Sequence, residues 1–167
     1  MRQIVITDVE ANQRLDKFLG KYLAGCPKSL IYKGMRTKKI KYNGKKPQGN
    51  EILKAQDEIK IFFTEEQFAE FVVEKKVAKV PISFKTVYED ENILIADKPM
   101  GLLTQKDHAD GHSLADEVLS YLKENGSYDP SRSKGFTPAP CNRLDRNTAG
   151  IVLVGKNIAA TQVLSDM

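Results

Sequence analysis

The stretch Pro140-Cys141-Asn142-Arg143-Leu144-Asp145-Arg146-Asn147-Thr148-Ala149-Gly150-Ile151-Val152-Leu153-Val154-Gly155-Lys156 changes character at its middle. Asn142 to Asn147 is polar and mostly charged, and Ile151 to Val154 is an apolar strand pattern. A Gly-bounded turn joins the two halves. Charged side chains are rarely buried unless paired, so an Arg-Leu-Asp-Arg run set against a core strand reads as the wall of a site. On spacing alone the plainer reading is favoured, a surface turn with an incidental Arg–Asp pair.

Around this stretch the composition is that of an ordinary globular protein. The chain has 167 residues, 41% hydrophobic and 29% charged, enough for one domain or two small ones. No apolar run has the length of a membrane span, and Met1 to Asp8 lacks the apolar region of a signal peptide. Cys26 and Cys141 therefore read as free thiols of a cytoplasmic protein, although a disulfide between them remains open. The net charge is +4, but Lys17 to Asn50 holds ten Lys or Arg and no acid, leaving −6 for the remainder. Such asymmetry predicts a basic face for a polyanion on one segment.

Ile4 and Ile6 alternate as in a short strand. Leu15, Phe18, Leu19, Tyr22 and Leu23 then recur at helical spacing, with Gly25 as the stop and Pro27 opening a second helix through Leu30, Ile31 and Met35. Ile40 and Tyr42 alternate with lysines before Asn43-Gly44, a strong two-residue hairpin signal, and Glu58 to Phe62 forms a further strand. Thr64 to Ser83 is a mixed polar connector whose start could form a short acidic helix. Val87-Tyr88 and Ile93 to Ala96 read as strand pieces around a polar turn, and Lys98-Pro99-Met100-Gly101 as a chain reversal. Ser113 to Asp116 resembles a capping box ahead of a helix lined by Leu114, Val118 and Leu122. Residues 127–140 form a loop, and Asn157 caps a final helical segment.

Arg143, Leu144, Asp145, Thr148, Gly150 and Lys156 resemble the catalytic motif of the RluA-type RNA pseudouridine synthases, His-Arg-Leu-Asp-x-x-Thr-Ser-Gly followed by an apolar strand and a Lys. Asn142 stands where that family usually has His, and Ala149 where it has Ser. Lys98, Pro99, Gly101 and Leu102 match its preceding Lys-Pro-x-Gly-Leu pattern, whose role there is largely structural. Separately, Arg14 to Phe63 resembles the small alpha-L RNA-binding domain named after a ribosomal small-subunit protein, through Arg14-Leu15-Asp16-Lys17-Phe18, Lys28-Ser29 and Tyr42-Asn43-Gly44-Lys45-Lys46.

These resemblances imply an α+β chain: a small α/β RNA-binding domain over 1–63, a linker over 64–83, and over 84–167 the first part of a mixed, mainly antiparallel synthase sheet with flanking helices. They imply isomerisation of uridine to pseudouridine without metal, redox or nucleotide cofactor. Asp145 would be the catalytic residue, as nucleophile toward the sugar or as base. Arg143 would fill the place that the flipped base vacates in the RNA. Lys17, Lys28, Ser29, Lys33, Arg36, Lys38, Lys39, Lys41, Lys45 and Lys46 would meet the RNA, whose phosphates Lys and Arg neutralise with little reading of sequence. Ribosomal RNA is preferred over transfer RNA, because the appended domain is commoner in that branch. The family's sheet has a second half that supplies a Tyr and a basic residue. Only 22 residues follow Asp145, with no match to that half, so the sequence reads as the N-terminal part of such an enzyme. The alternative is a non-catalytic RNA-binding fragment. His108 and His112 are four apart, but Gly101 and Gly111 mark a loop, so no metal site is read there.

Overall fold

A computed structural model of the chain describes residues 1–106 and 111–167. They form two compact units: Met1–Glu74 with Lys134–Phe136, and Lys75–Ser133 with Thr137–Met167. Every described strand pairing is antiparallel, so the chain is α+β with segregated sheets.

In the first unit, strand β1 (Arg2–Val5) is followed by helices α1 (Leu15–Tyr22) and α2 (Lys28–Arg36), strands β2 (Ile40–Tyr42) and β3 (Glu58–Ile61), and helix α3 (Glu65–Phe71). β3 lies between β1 and β2. The apolar positions that set the helical period, Leu15, Phe18, Leu19 and Tyr22, bury against Ile4, Ile40, Ile59 and Ile61 of the sheet. Asn43 and Gly44 both have positive φ, 49° and 78°, and Tyr42 and Lys45 exchange backbone hydrogen bonds across them. That is the mirror-image turn that Asn-Gly favours.

The connector divides. Its first part is α3, whose Phe68 and Phe71 sit in the first unit's core beside Phe63. A reciprocal capping box opens it: the Gln67 N–H donates to Thr64 Oγ1 at 3.1 Å and the Thr64 N–H to Gln67 Oε1 at 3.0 Å. Gly25 is not the stop of α1, which ends at Tyr22. Its N–H donates to Phe71 O at 2.9 Å, and a Cβ there would lie 2.7 Å from Glu70 O. Glycine is needed because two backbones touch.

The second unit holds β4 (Lys85–Glu89), β5 (Ile93–Lys98), helix α4 (Leu114–Glu124), β6 (Ala139–Pro140), β7 (Gly150–Gly155) and helix α5 (Ile158–Ser165). The sheet order is β4-β5-β7-β6. Leu94 and Ala96 of β5 pair with Val154 and Val152 of β7 and face Leu114, Val118 and Leu122 of α4. Asp90 turns β4 into β5 by accepting from the N–H groups of Asn92 and Ile93. Pro140, with no N–H to give, sits on the edge strand β6. Asp116 accepts from the Ser113 N–H and hydroxyl at the start of α4, and Asn157 caps α5 through the Ala160 N–H.

Cys26 is buried in the first unit and Cys141 half-buried in the second; both are free thiols. Among the described residues no helix is long and apolar enough to cross a membrane, and no group of three or more metal-ligating side chains is placed together. His108 of the His108–His112 pair considered above lies outside the described residues.

Candidate functional site

Between β6 and β7 the chain from Asn142 to Ala149 forms a loop at the end of the second unit's sheet. Arg143 and Asp145 are exposed, and Leu144 between them turns in toward the core that α4 covers. Gly150 makes room for it: φ is +153°, and a Cβ would come 3.2 Å from Leu144 Cδ1. The Thr148 N–H donates to Asp145 O at 3.0 Å and closes the turn beneath the carboxylate.

The backbones of the residues on both sides of Asp145, Leu144 and Arg146, are held from one segment, residues 98–104. Thr104 Oγ1 accepts from the Leu144 N–H at 3.0 Å and donates to Leu144 O at 2.8 Å. Arg146 O accepts from the Gly101 N–H at 2.8 Å and from Lys98 Nζ at 3.3 Å. Lys98 is fully buried, and its ammonium also donates to Pro99 O at 3.0 Å and Leu102 O at 2.6 Å. A buried cation persists only where hydrogen bonds replace its water, and here three carbonyls do so. Burial pushes the Lys98 pKa down, and the Asp145 carboxylate partly opposes that shift. Composition predicts a chain reversal at Lys98-Pro99. The reversal is present, and the lysine also ties it to the loop that carries Asp145.

Asn142, which departs from the family motif, has a defined task. Its Nδ2 donates to Ile151 O at 3.1 Å and its Oδ1 accepts from the Leu153 N–H at 2.7 Å. One amide thus replaces a residue of backbone pairing and fastens the start of the loop to β7. Lys156, at the far end of β7, is buried against Glu89 and also donates to Asp90 O at 2.7 Å. Tyr121 and Asn125 donate to the same carboxylate. Burial pushes the Glu89 pKa up, but the bonds from Lys156 and Tyr121 outweigh it and hold it below the usual 4.5. Lys156 therefore braces the sheet away from the Asp145 loop.

The basic segment lies on the first unit. Lys17 and Lys28 line one groove of about 260 Å³ between α1 and α2, with Arg14, Asp16 and Tyr32. Arg14 and the Tyr32 hydroxyl both donate to Asp16, at 2.8 and 2.9 Å. Burial raises the Asp16 pKa, while the bonds from Tyr32 and Arg14 lower it and win. With the acid so engaged, Lys17 and Lys28 supply the net charge of the groove. Ser29, Lys33 and Arg36 are exposed on α2, Lys38 and Lys39 on the turn after it, and Lys45 and Lys46 at the hairpin. Lys41 is half-buried, with Nζ 5.5 Å from the centre of the Phe62 ring. β3 adds Lys60 directly opposite Lys41, a cation outside the segment that charge counting picked out. Lys21, inside that segment, is instead held by Gln13 Oε1 at 3.0 Å.

The second unit thus presents an aspartate on a backbone-clamped loop after an edge strand, and the first a cationic helix pair. Residues 92–167 match the model of the RNA pseudouridylate synthase family. The chain is 35% identical to an RNA pseudouridine synthase of Mycoplasma genitalium, over 92% of this chain and 48% of that protein. It is 31% identical to an RNA pseudouridine synthase of Mycoplasma capricolum, over 99% of this chain and 54% of the relative. Identity is also 31% to the ribosomal large subunit pseudouridine synthase C of Escherichia coli, over 98% of this chain and 49% of that one. Over nearly its whole length the chain is similar to RNA pseudouridine synthases, and it spans about half the length of the curated relatives it matches.

Proposed function

We propose that the protein isomerises uridine to pseudouridine in structured RNA, ribosomal RNA in the first place, with Asp145 as the catalytic residue. The observation that carries this reading is the Asp145 loop: an exposed carboxylate whose neighbours Leu144 and Arg146 are held through their backbones by Thr104, Gly101 and Lys98. A fixed carboxylate can attack the sugar carbon or take a proton from it. Either route breaks the bond from ribose to uracil nitrogen, turns the base, joins ribose to carbon five and releases the proton from that carbon. The target base leaves its stack first, at a cost of about a few kcal/mol. Arg143, exposed two residues before Asp145, has the planar guanidinium to stack in the vacated place. Lys17, Lys28, Ser29, Lys33, Arg36, Lys38, Lys39, Lys41, Lys45 and Lys46 hold the RNA backbone through the first unit. The likeness to a relative named for the ribosomal large subunit supports ribosomal RNA as substrate.

The competing reading is RNA binding without catalysis. The two separate when the protein is incubated with ribosomal and transfer RNA and pseudouridine is mapped in each. The enzyme reading expects new pseudouridine in ribosomal RNA. RNA that is bound but left unmodified would overturn it in favour of the second.

A further inference from the structure

Thr104 is buried, 2% exposed, in a segment between the Lys-Pro turn and α4. Its backbone and its side chain point to different masters. The carbonyls of Leu103 and Thr104 accept from the N–H groups of Leu114 and Ala115, at 2.7 and 3.0 Å. These are first-turn donors of α4, which have no partner within the helix and must find one outside it. The start of α4 therefore fixes where Thr104 sits. From that position the hydroxyl reaches across 40 residues of sequence and both donates to and accepts from the Leu144 peptide groups. A single hydroxyl uses its donor and one acceptor lone pair on one residue, the neighbour of Asp145.

We infer that Thr104 is a positioning residue for Asp145: its hydroxyl clasps the Leu144 N–H and C=O and so sets the direction in which the Asp145 carboxylate leaves the loop. The clasp is a property of the fold; its effect on turnover rests on the function proposed above. Geometry of this kind governs rate. A displacement of about 1 Å in a reacting group lowers turnover roughly 100-fold, while contacts that only bind RNA are untouched. The Lys98 and Gly101 contacts hold the other side of Asp145 at Arg146 O, so loss of the clasp frees one end of the loop and leaves the other tied.

The test is a pair of variants in the whole chain. Thr104→Val keeps the shape and removes the hydroxyl; Thr104→Ser keeps the hydroxyl and removes a methyl. Two readouts are taken on each: kcat and KM for tritium release from RNA labelled at uridine carbon five, and exchange of the Leu144 amide hydrogen. Thr104→Val should lower kcat roughly 10- to 100-fold with KM for RNA unchanged, and speed Leu144 exchange about tenfold. Thr104→Ser should restore both to within about threefold. Wild-type kcat in Thr104→Val, or equal loss in both variants, would overturn the positioning role. Unchanged Leu144 exchange in Thr104→Val would overturn the clasp itself. Absence of turnover in the wild type would count against the proposed function alone, and the exchange rates would still decide the clasp. Should Thr104→Val not fold, Thr104→Cys, with its weak S–H donor, takes its place with the same expected order.

Discussion

Asn142 closes two hydrogen bonds with β7, so Asn142→Leu should destabilise the protein by about 1–2 kcal/mol and lower turnover by loosening the entry to the Asp145 loop. Thermal unfolding and tritium release measured together would check it; an unchanged melting temperature would contradict the role. At the other end of β7, Glu89 gives a prediction in pH. Its pKa is depressed in the fold, so it retains its charge where the unfolded chain begins to take up protons. The stability it contributes is complete above about 4.5 and is lost as pH falls through the lower, folded value. Glu89→Gln should therefore lose stability at neutral pH and flatten the acid limb of a denaturation series from pH 7 to 3. An acid limb as steep as the wild type's would contradict this. The strand after Asp145 was legible because an apolar run is a local pattern, whereas Asp145 itself stood out only through the resemblance to a family motif. Sequence did not show Thr104, Lys98 or Lys156 at work. Their partners lie 40, 48 and 67 residues away, at Leu144, Arg146 and Glu89, and nothing in a hydroxyl or an ammonium announces which carbonyl or carboxylate it will meet.

The helices and strands were legible where a period or a turn residue decided them. The repeat from Leu15 to Leu23 could bury only as a helix, and Asn43-Gly44 could only reverse the chain. α3 was half seen, because the connector was read by composition. Its capping box, Thr64 with Gln67 three residues on, was the signal that would have fixed its start. Gly25 serves the approach of the α3 end and not a helix stop. Gly25→Val should accordingly destabilise the first unit by about 1–3 kcal/mol, since the added atoms meet backbone at Glu70 and Phe71 that has no rotamer to change. Gly44→Ala meets no atom within 4 Å and is strained only through its positive φ, so its effect should be the smaller. Urea unfolding of the two variants side by side tests the order; a larger loss at Gly44 would contradict it.

At the scale of the whole molecule the charge is divided: cations gather on the first unit, and Asp145 stands exposed on the second. If the cations meet phosphates, affinity for RNA must fall with salt, because each contact releases a counterion. Removing both lysines of the α1–α2 groove, Lys17→Ala with Lys28→Ala, should reduce the slope of log affinity against log salt by roughly 1–2 and weaken all RNA sequences alike. A slope unchanged by the double variant would remove the groove from the interface. The charge imbalance was legible in the sequence, since it is a count; the pairing of Lys17 with Lys28 in one groove was not, since it depends on how α1 lies against α2.

The most direct test of the central assignment is tritium release from RNA labelled at uridine carbon five, wild type against Asp145→Asn, with RNA binding followed in parallel. The proposed chemistry requires release by the wild type, none above background by Asp145→Asn, and equal binding by both. Turnover retained in Asp145→Asn would contradict it, because the amide can neither attack the sugar nor take its proton.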